Sequence, residues 1–254
     1  MNSMTGRSLA RDVAFCLIFL TRLPLPSVAL KDAKLAESIW AAPIAGLVVA
    51  IIGALVYAIA TFLGLAPAPS AALALAAILA ASGGLHEDGL CDTADGFGGG
   101  ANRQRKLEIM RDSRIGAYGA CALVLSILLR WSALSSLAGA TEAALALVAA
   151  HVASRAVIPA FMRFLPPARM DGLSANSGVV SANASNAALA IGVLCLLVLG
   201  LPGMLVSILC LGLAFMLFRG ICLRQIGGHT GDTVGAMQQI GEITILLAAS
   251  VILS

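Results

Sequence analysis

Apolar residues along this chain gather into six long runs, and polar residues collect between the runs instead of alternating within them. A run apolar on every face of a helix suits a membrane, whereas a surface helix shows only an apolar stripe. Residues 38–65 are long enough to cross about 30 Å of hydrocarbon. This run has Trp40 near its start as an interfacial anchor and Pro43 near its first turn, where proline is tolerated. Ala66-Pro67-Ala68-Pro69 predicts a turn, and residues 70–85 return across the bilayer as a short span ending in Gly83-Gly84. Residues 115–137 and 142–164 form the third and fourth spans. The run at 187–218 is interrupted by Gly200-Leu201-Pro202-Gly203 and splits into a hairpin of two short spans, and residues 236–253, with Glu242 inside, form the last. The pattern predicts an all-α polytopic membrane bundle of about seven transmembrane helices, folded as one domain over residues 1–254, without an internal repeat.

A shorter apolar run at 13–20 follows Arg7 and Arg11 and precedes Thr21-Arg22-Leu23-Pro24-Leu25-Pro26. It reads as an interfacial or re-entrant helix rather than a secretory signal, because prolines and an arginine stand where small residues would mark a cleavage site.

Composition agrees with the pattern. The chain is 59% hydrophobic and only 11% charged, with a mean hydropathy of +0.96, against roughly 45–50% and 25% in soluble domains. A net charge of +3 gives no reason to invoke nucleic acid. The six cysteines are scattered without a CxxC pair and read as small buried hydrophobes. Position matters more than total charge: residues 1–38, 86–114, 163–186 and 219–235 hold 14 of the 16 Lys and Arg. Positive charge collects on the cytoplasmic side, so these segments are expected to face the cytoplasm of a bacterial inner membrane. The two basic residues inside spans are Arg130, expected to snorkel beside Trp131, and Arg155, one turn after His151 and expected to be functional.

The segment from Gly83 to Gly119 concentrates the chemistry. Asp88, Asp92 and Asp95 are spaced i, i+4 and i+7, which on an α-helix sets three carboxylates on one stripe. Like charges at that spacing repel, and a hard cation held by oxygen ligands, Mg²⁺ or Mn²⁺, would compensate; a solvated acidic loop is the plainer alternative. Gly98, Gly99 and Gly100 follow, then Arg103, Arg105, Lys106, Arg111 and Arg114, a succession of mobile backbone and cations suited to a phosphorylated substrate. Gly227-Gly228-His229-Thr230-Gly231-Asp232 falls on the same face of the membrane map and either completes this site or makes a simple turn.

The motifs His86-Glu87-Asp88-Gly89, Asp92-Thr93-Ala94-Asp95-Gly96 and Leu107-Glu108-Ile109-Met110-Arg111-Asp112-Ser113-Arg114-Ile115-Gly116 resemble the signature of cobalamin synthase. These are the membrane-bound adenosylcobinamide-GDP ribazoletransferases of bacteria and archaea. Thr21-Arg22-Leu23-Pro24 and Gly227-Gly228-His229-Thr230-Gly231-Asp232-Thr233-Val234-Gly235-Ala236 extend the resemblance over nearly the whole chain. Glu87 and Cys91 depart from it, standing where an apolar residue and alanine are common; Glu87 also points about 100° off the Asp88 stripe and is not expected to be a ligand.

The resemblance implies a Mg²⁺-dependent reaction in which a hydroxyl of α-ribazole, or of its 5′-phosphate, attacks the phosphorus attached to cobinamide and expels GMP. Such phosphoryl transfer relies on positioning and charge stabilisation. Asp88, Asp92 and Asp95 are the expected metal ligands, and Arg103, Arg105, Lys106, Arg111, Arg114 and Arg155 the candidates for phosphate. His86, Asp112, His229 and Asp232 are all candidates for the base. Substrates and lipid are the expected partners, and a homo-oligomer is compatible with this reading. Two other classes compete: a CDP-alcohol-type phosphotransferase, whose fuller aspartate pattern is not matched, and a transporter, which the missing repeat and one-sided charge disfavour. Cysteines introduced beside Pro67 or Pro202 are expected to react with an impermeant thiol reagent only from the external side; labelling from the cytoplasm would overturn the topology.

Overall fold

The computed structural model describes residues 9–26, 34–169 and 178–253. Among them there is no strand, and one isolated bridge joins Pro167 to His229. The helices are α1 (Leu9–Leu20), α2 (Leu35–Ser38), α3 (Ala42–Phe62), α4 (Pro67–Ser82), α5 (Leu85–Gly99), α6 (Arg103–Ile109) and α7 (Ala117–Ser135). They continue as α8 (Ala140–Ala156), α9 (Ile158–Phe164), α10 (Ala182–Leu196), α11 (Gly200–Ile226) and α12 (Gly231–Ile252).

Five runs among the described residues are long and apolar enough to cross a membrane, and α4 with α5 makes a sixth, bent by 89°. One of the five, Ala182–Ile226, is 45 residues long, more than twice what about 30 Å requires at roughly 1.5 Å per residue. It breaks at Gly200, whose φ is 72°. Leu189 and Leu196 of α10 then line the same apolar groove as Phe215 and Ile208 of α11, so the chain doubles back and crosses twice. The result is the seven-span polytopic bundle that the pattern predicts. The break falls at the first residue of the expected 200–203 turn, and residues 201–203 are already helical because Pro202 fits within the first turn of α11.

At the centre stands α8, with Ala143, Ala146, Ala149, Ala150, Ala153 and Ala156 all buried. Lipid offers helices little hydrophobic drive to associate, so close van der Waals packing of small side chains does that work. The 13–20 run lies within α1, which is fastened to the start of the first span: Asp12 accepts hydrogen bonds from Ser38 Oγ and Trp40 Nε1, each at 2.9 Å. Arg7, next to it in the sequence reading, lies outside the described residues. All six cysteines are free.

The corner between α4 and α5 is made by Gly83 and Gly84, both at φ 67°, a left-handed conformation that costs a residue with a Cβ. Beyond it α5 runs antiparallel to α7. Asp95, near its end, meets Gly116 and Gly119 at the start of α7, while Glu87, two turns earlier, meets Arg130 four turns along.

That contact belongs to a buried polar cluster. Arg130 Nη1 lies 2.9 Å from Glu87 Oε1 and 3.1 Å from Glu242 Oε1. Glu242 Oε2 lies 3.2 Å from His151 Nδ1 and 4.0 Å from Arg155 Nη1, and Gln238 and Gln239 donate to Glu242 and Glu87. Arg130 therefore does not snorkel: it is 1% exposed, and two carboxylates hold it inside the bundle. Arg155, expected at a phosphate, is equally enclosed, with Nη1 also 2.9 Å from His151 Nδ1. Two arginines and two glutamates thus share one interior. Arg130→Met would leave Glu87 without its guanidinium and Glu242 with only His151, Arg155 and Gln238, and loss of one partner of a buried pair costs about 3–5 kcal/mol. Thermal unfolding in lipid nanodiscs should show that loss, whereas Leu128→Met, on the outward face of the same helix, should stay within about 0.5 kcal/mol.

Candidate active site

The aspartate stripe forms the helix its spacing predicts, but its three members have different surroundings. Asp95 is buried, and its carboxylate accepts the backbone N–H of Gly116 at 2.7 Å and of Gly119 at 2.8 Å. These donors belong to the N-cap and third residue of α7, where helix N–H groups have no partner along their own helix and negative charge is favoured. Asp95 therefore locks α5 to α7. Asp88 is exposed and Asp92 partly so, and among the described residues neither carboxylate has a hydrogen bond or ion pair.

The foot of α12 completes the corner. Thr230 and Thr233 form a reciprocal capping box, with the Thr233 N–H donating to Thr230 Oγ1 at 3.3 Å and the Thr230 N–H to Thr233 Oγ1 at 2.9 Å. This sets Asp232 in the first helical turn. The approach of α5 depends on Gly89, where a Cβ would lie 2.7 Å from the Asp232 carbonyl oxygen. Asp232 consequently stands within electrostatic reach of Asp88 and Asp92. Opposite it, Arg169 Nη2 lies 3.4 Å from Asp232 Oδ2, while Arg169 Nη1 is buried without a hydrogen-bond partner among the described residues. The segment before Arg169 is fixed by backbone pairing: His229 N–H donates to Pro166 O at 2.9 Å, and Ala168 N–H to His229 O at 2.8 Å.

No three His, Cys, Asp or Glu side chains among the described residues converge into a complete metal cage. The donor chemistry still fits a hard cation, since Asp88 and Asp92 are unpartnered carboxylates with Asp232 nearby. Mg²⁺ characteristically takes one or two carboxylates and completes its shell with water and substrate phosphate.

Comparison with known proteins gives this corner its context. A sequence model of the family described as Cobalamin-5-phosphate synthase matches residues 12–250. The chain is 58% identical over 252 residues to an adenosylcobinamide-GDP ribazoletransferase of Mesorhizobium japonicum, covering 99% of this chain and 97% of that one. It is 52% identical to the protein of the same name from Bradyrhizobium diazoefficiens, covering 97% and 95%, and 45% identical to that from Azorhizobium caulinodans, covering 93% and 94%. The chain belongs to the cobalamin-5-phosphate synthase family. No solved structure matches it.

In this member of the cobalamin-5-phosphate synthase family the basic residues divide by position. Arg103 donates to the carbonyls of Ile226 and Ala168, and Lys106 to Gln225 Oε1, so both tie α6 to the end of α11 and to the Arg169 segment. Arg105 pairs with Glu108 at 3.2 Å and Arg114 with Asp112 at 2.7 Å, all four substantially exposed. Arg111 lies within electrostatic reach of Asp232, which leaves Arg111 and Arg169 as the guanidinium groups at the carboxylate corner.

The four candidate bases divide as well. Asp112 is held by Arg114, whose hydrogen bonds push its carboxyl down to about 2 and make it a poor proton acceptor at neutral pH. Burial pushes His229 down to about 4; its imidazole is neutral at pH 7, and its backbone holds the Pro166–Ala168 segment. His86 and Asp232 line one cleft together with Asp88, and His86 Nδ1 is buried without a hydrogen-bond partner among the described residues. Sequence reasoning passed over Arg169, which lies in no periodic segment and whose only signal is a guanidinium two residues after Pro166-Pro167 in a polar loop.

Opposite outcomes are expected for two aspartates of the one stripe. Asp95→Ala removes the acceptor of two buried N–H groups and should cost about 1–3 kcal/mol. Asp92→Asn removes a charge on which three neighbouring carboxylates outweigh Arg169, and should leave the unfolding temperature unchanged or raise it. Equal destabilisation by the two would refute this division of roles.

Proposed function

We propose that this chain is an adenosylcobinamide-GDP ribazoletransferase acting at the cytoplasmic face of a bacterial inner membrane. The observation that carries the proposal is the meeting of Asp88, Asp92, Asp232 and Arg169 at the foot of α12, in a chain similar to ribazoletransferases along nearly its whole length. The collection of basic residues in segments on one side of the membrane supports the cytoplasmic orientation.

A hydroxyl of α-ribazole, or of its 5′-phosphate, attacks the phosphorus attached to cobinamide. The new P–O bond forms as the bond to the GMP oxygen breaks, and GMP leaves with that electron pair. Asp88 and Asp92, with Asp232 beside them, would hold Mg²⁺, which when bound supplies charge neutralisation at the phosphate oxygens. Arg169 reaches the same corner with one nitrogen already on Asp232 and the other available for a phosphate oxygen, a forked arrangement that suits phosphate. His86 lines the cleft next to Asp88, and with its Nδ1 unpaired among the described residues it would accept the proton of the attacking hydroxyl. Asp95 acts through position, holding α5 in register with α7.

Purified protein given adenosylcobinamide-GDP should release GMP only when α-ribazole or its 5′-phosphate and Mg²⁺ are both present, and EDTA should abolish release. Asp92→Asn and Arg169→Met should each lower the rate about 10²–10³-fold, the scale on which removal of one charge-stabilising group acts. Absence of GMP release from folded wild-type protein in native lipid would overturn the assignment.

A further inference from the structure

Beside the acidic corner a cleft opens between α1, α2, α9 and the foot of α12, enclosing about 760 Å³ including its mouth. Its walls are apolar, formed by Leu20, Leu35, Ile39, Ile158, Met162 and Val234. Its polar lining is confined to one end, where His86, Asp88 and Asp232 stand. His86 is 3% exposed, and its Nδ1 has no hydrogen-bond partner among the described residues. A buried imidazole nitrogen left unpaired is costly, and His86 is among the residues lining the cleft beside Asp88 and Asp232.

We infer that this cleft is the subsite for the heteroaromatic base of the ribazole nucleophile. The inference rests on the ribazoletransferase reading and adds to it the means by which the acceptor is selected and oriented. Of the parts of the two substrates, only this base has matching chemistry: a flat, uncharged, methyl-bearing fused ring joined to a hydroxyl-bearing sugar. A guanine would bring an edge of donors and acceptors against walls that cannot answer them, at the cost of unpaired polar groups. The corrin body, fringed with amides, is too large for the space. With the base between Ile39 and Met162, the ribose comes to the His86 end and its hydroxyl faces the carboxylate corner. Binding energy gathered on an apolar body thereby orients the reacting oxygen. A lipid acyl chain shares the apolar match, but a cleft ending on two carboxylates and an imidazole disfavours an anionic headgroup.

The test measures KM for each substrate separately in nanodiscs, using ribosides that differ only in the base: 5,6-dimethylbenzimidazole, benzimidazole and imidazole. Loss of the two methyl groups should raise the KM for the nucleophile about tenfold. Loss of the fused ring should raise it further, with the KM for adenosylcobinamide-GDP unchanged. Leu35→Trp, which narrows the cleft from a partly exposed position, should raise the same KM about tenfold and flatten the analogue series, with an unchanged unfolding temperature showing that the fold is intact. Wild-type turnover indifferent to the base, or a Leu35→Trp effect on the KM for adenosylcobinamide-GDP instead, would overturn the subsite and leave the ribazoletransferase assignment standing. No wild-type turnover with any riboside would overturn both. The analogue series uses wild-type protein and decides the question even if the variant fails to fold.

Discussion

Four buried charges that must neutralise one another set the geometry of this protein. A carboxylate or guanidinium alone in the bilayer costs several kcal/mol, so Glu87, Arg130, Glu242 and Arg155 are tolerable only in mutual contact. They come from α5, α7, α12 and α8, and the requirement that they meet fixes how those four helices sit. Glu87 directly precedes Asp88, about 100° away around α5. Holding Glu87 against Arg130 therefore sets the rotation of the whole helix and turns Asp88 and Asp92 toward the foot of α12. The carboxylates of the stripe inherit their direction from an ion cluster buried inside the bundle.

Asp95 at the other end of α5 makes that placement rigid. One carboxylate bonded to two N–H groups of the next helix fixes translation where Glu87 fixes rotation. The contact at Gly89 then lets the first turn of α12 approach closely enough for Asp232 to join the pair. Three aspartates of one stripe have thus separated into two environments, one bonded into the fold and two unpaired among the described residues, although their spacing alone makes them equivalent.

This explains which features were legible in the sequence. The spans were, because their signal is local: each is a continuous apolar run, and the glycine and proline clusters at 66–69, 83–84 and 200–203 mark the reversals. The helical stripe was legible for the same reason. The ion cluster was not, since Arg130 meets Glu87 across 43 residues and Glu242 across 112, and no periodicity within one helix reports a contact among three. The snorkelling expected of Arg130 failed on that point: Trp131 beside it suggested an interface, whereas its partners lay on two distant helices. Arg169 escaped notice because a loop arginine acquires meaning only through the bridge between Pro167 and His229 that holds its segment beside Asp232.

The distribution of satisfied and unsatisfied charge separates the scaffold from the site. Inside the bundle Glu87 and Glu242 each have a guanidinium, whereas at the corner Asp88 and Asp92 share their surroundings with Asp232, which pairs with Arg169. Stability alone would favour replacing one of these aspartates by asparagine, because repulsion between like charges is a cost with no return in the fold. Neutralising buried charge so fully in one place while concentrating like charge a turn away is the pattern that the proposed cation site requires. The neutral cluster is what makes this concentration tolerable, since it holds α5 against the repulsion that would otherwise turn the stripe away from α12.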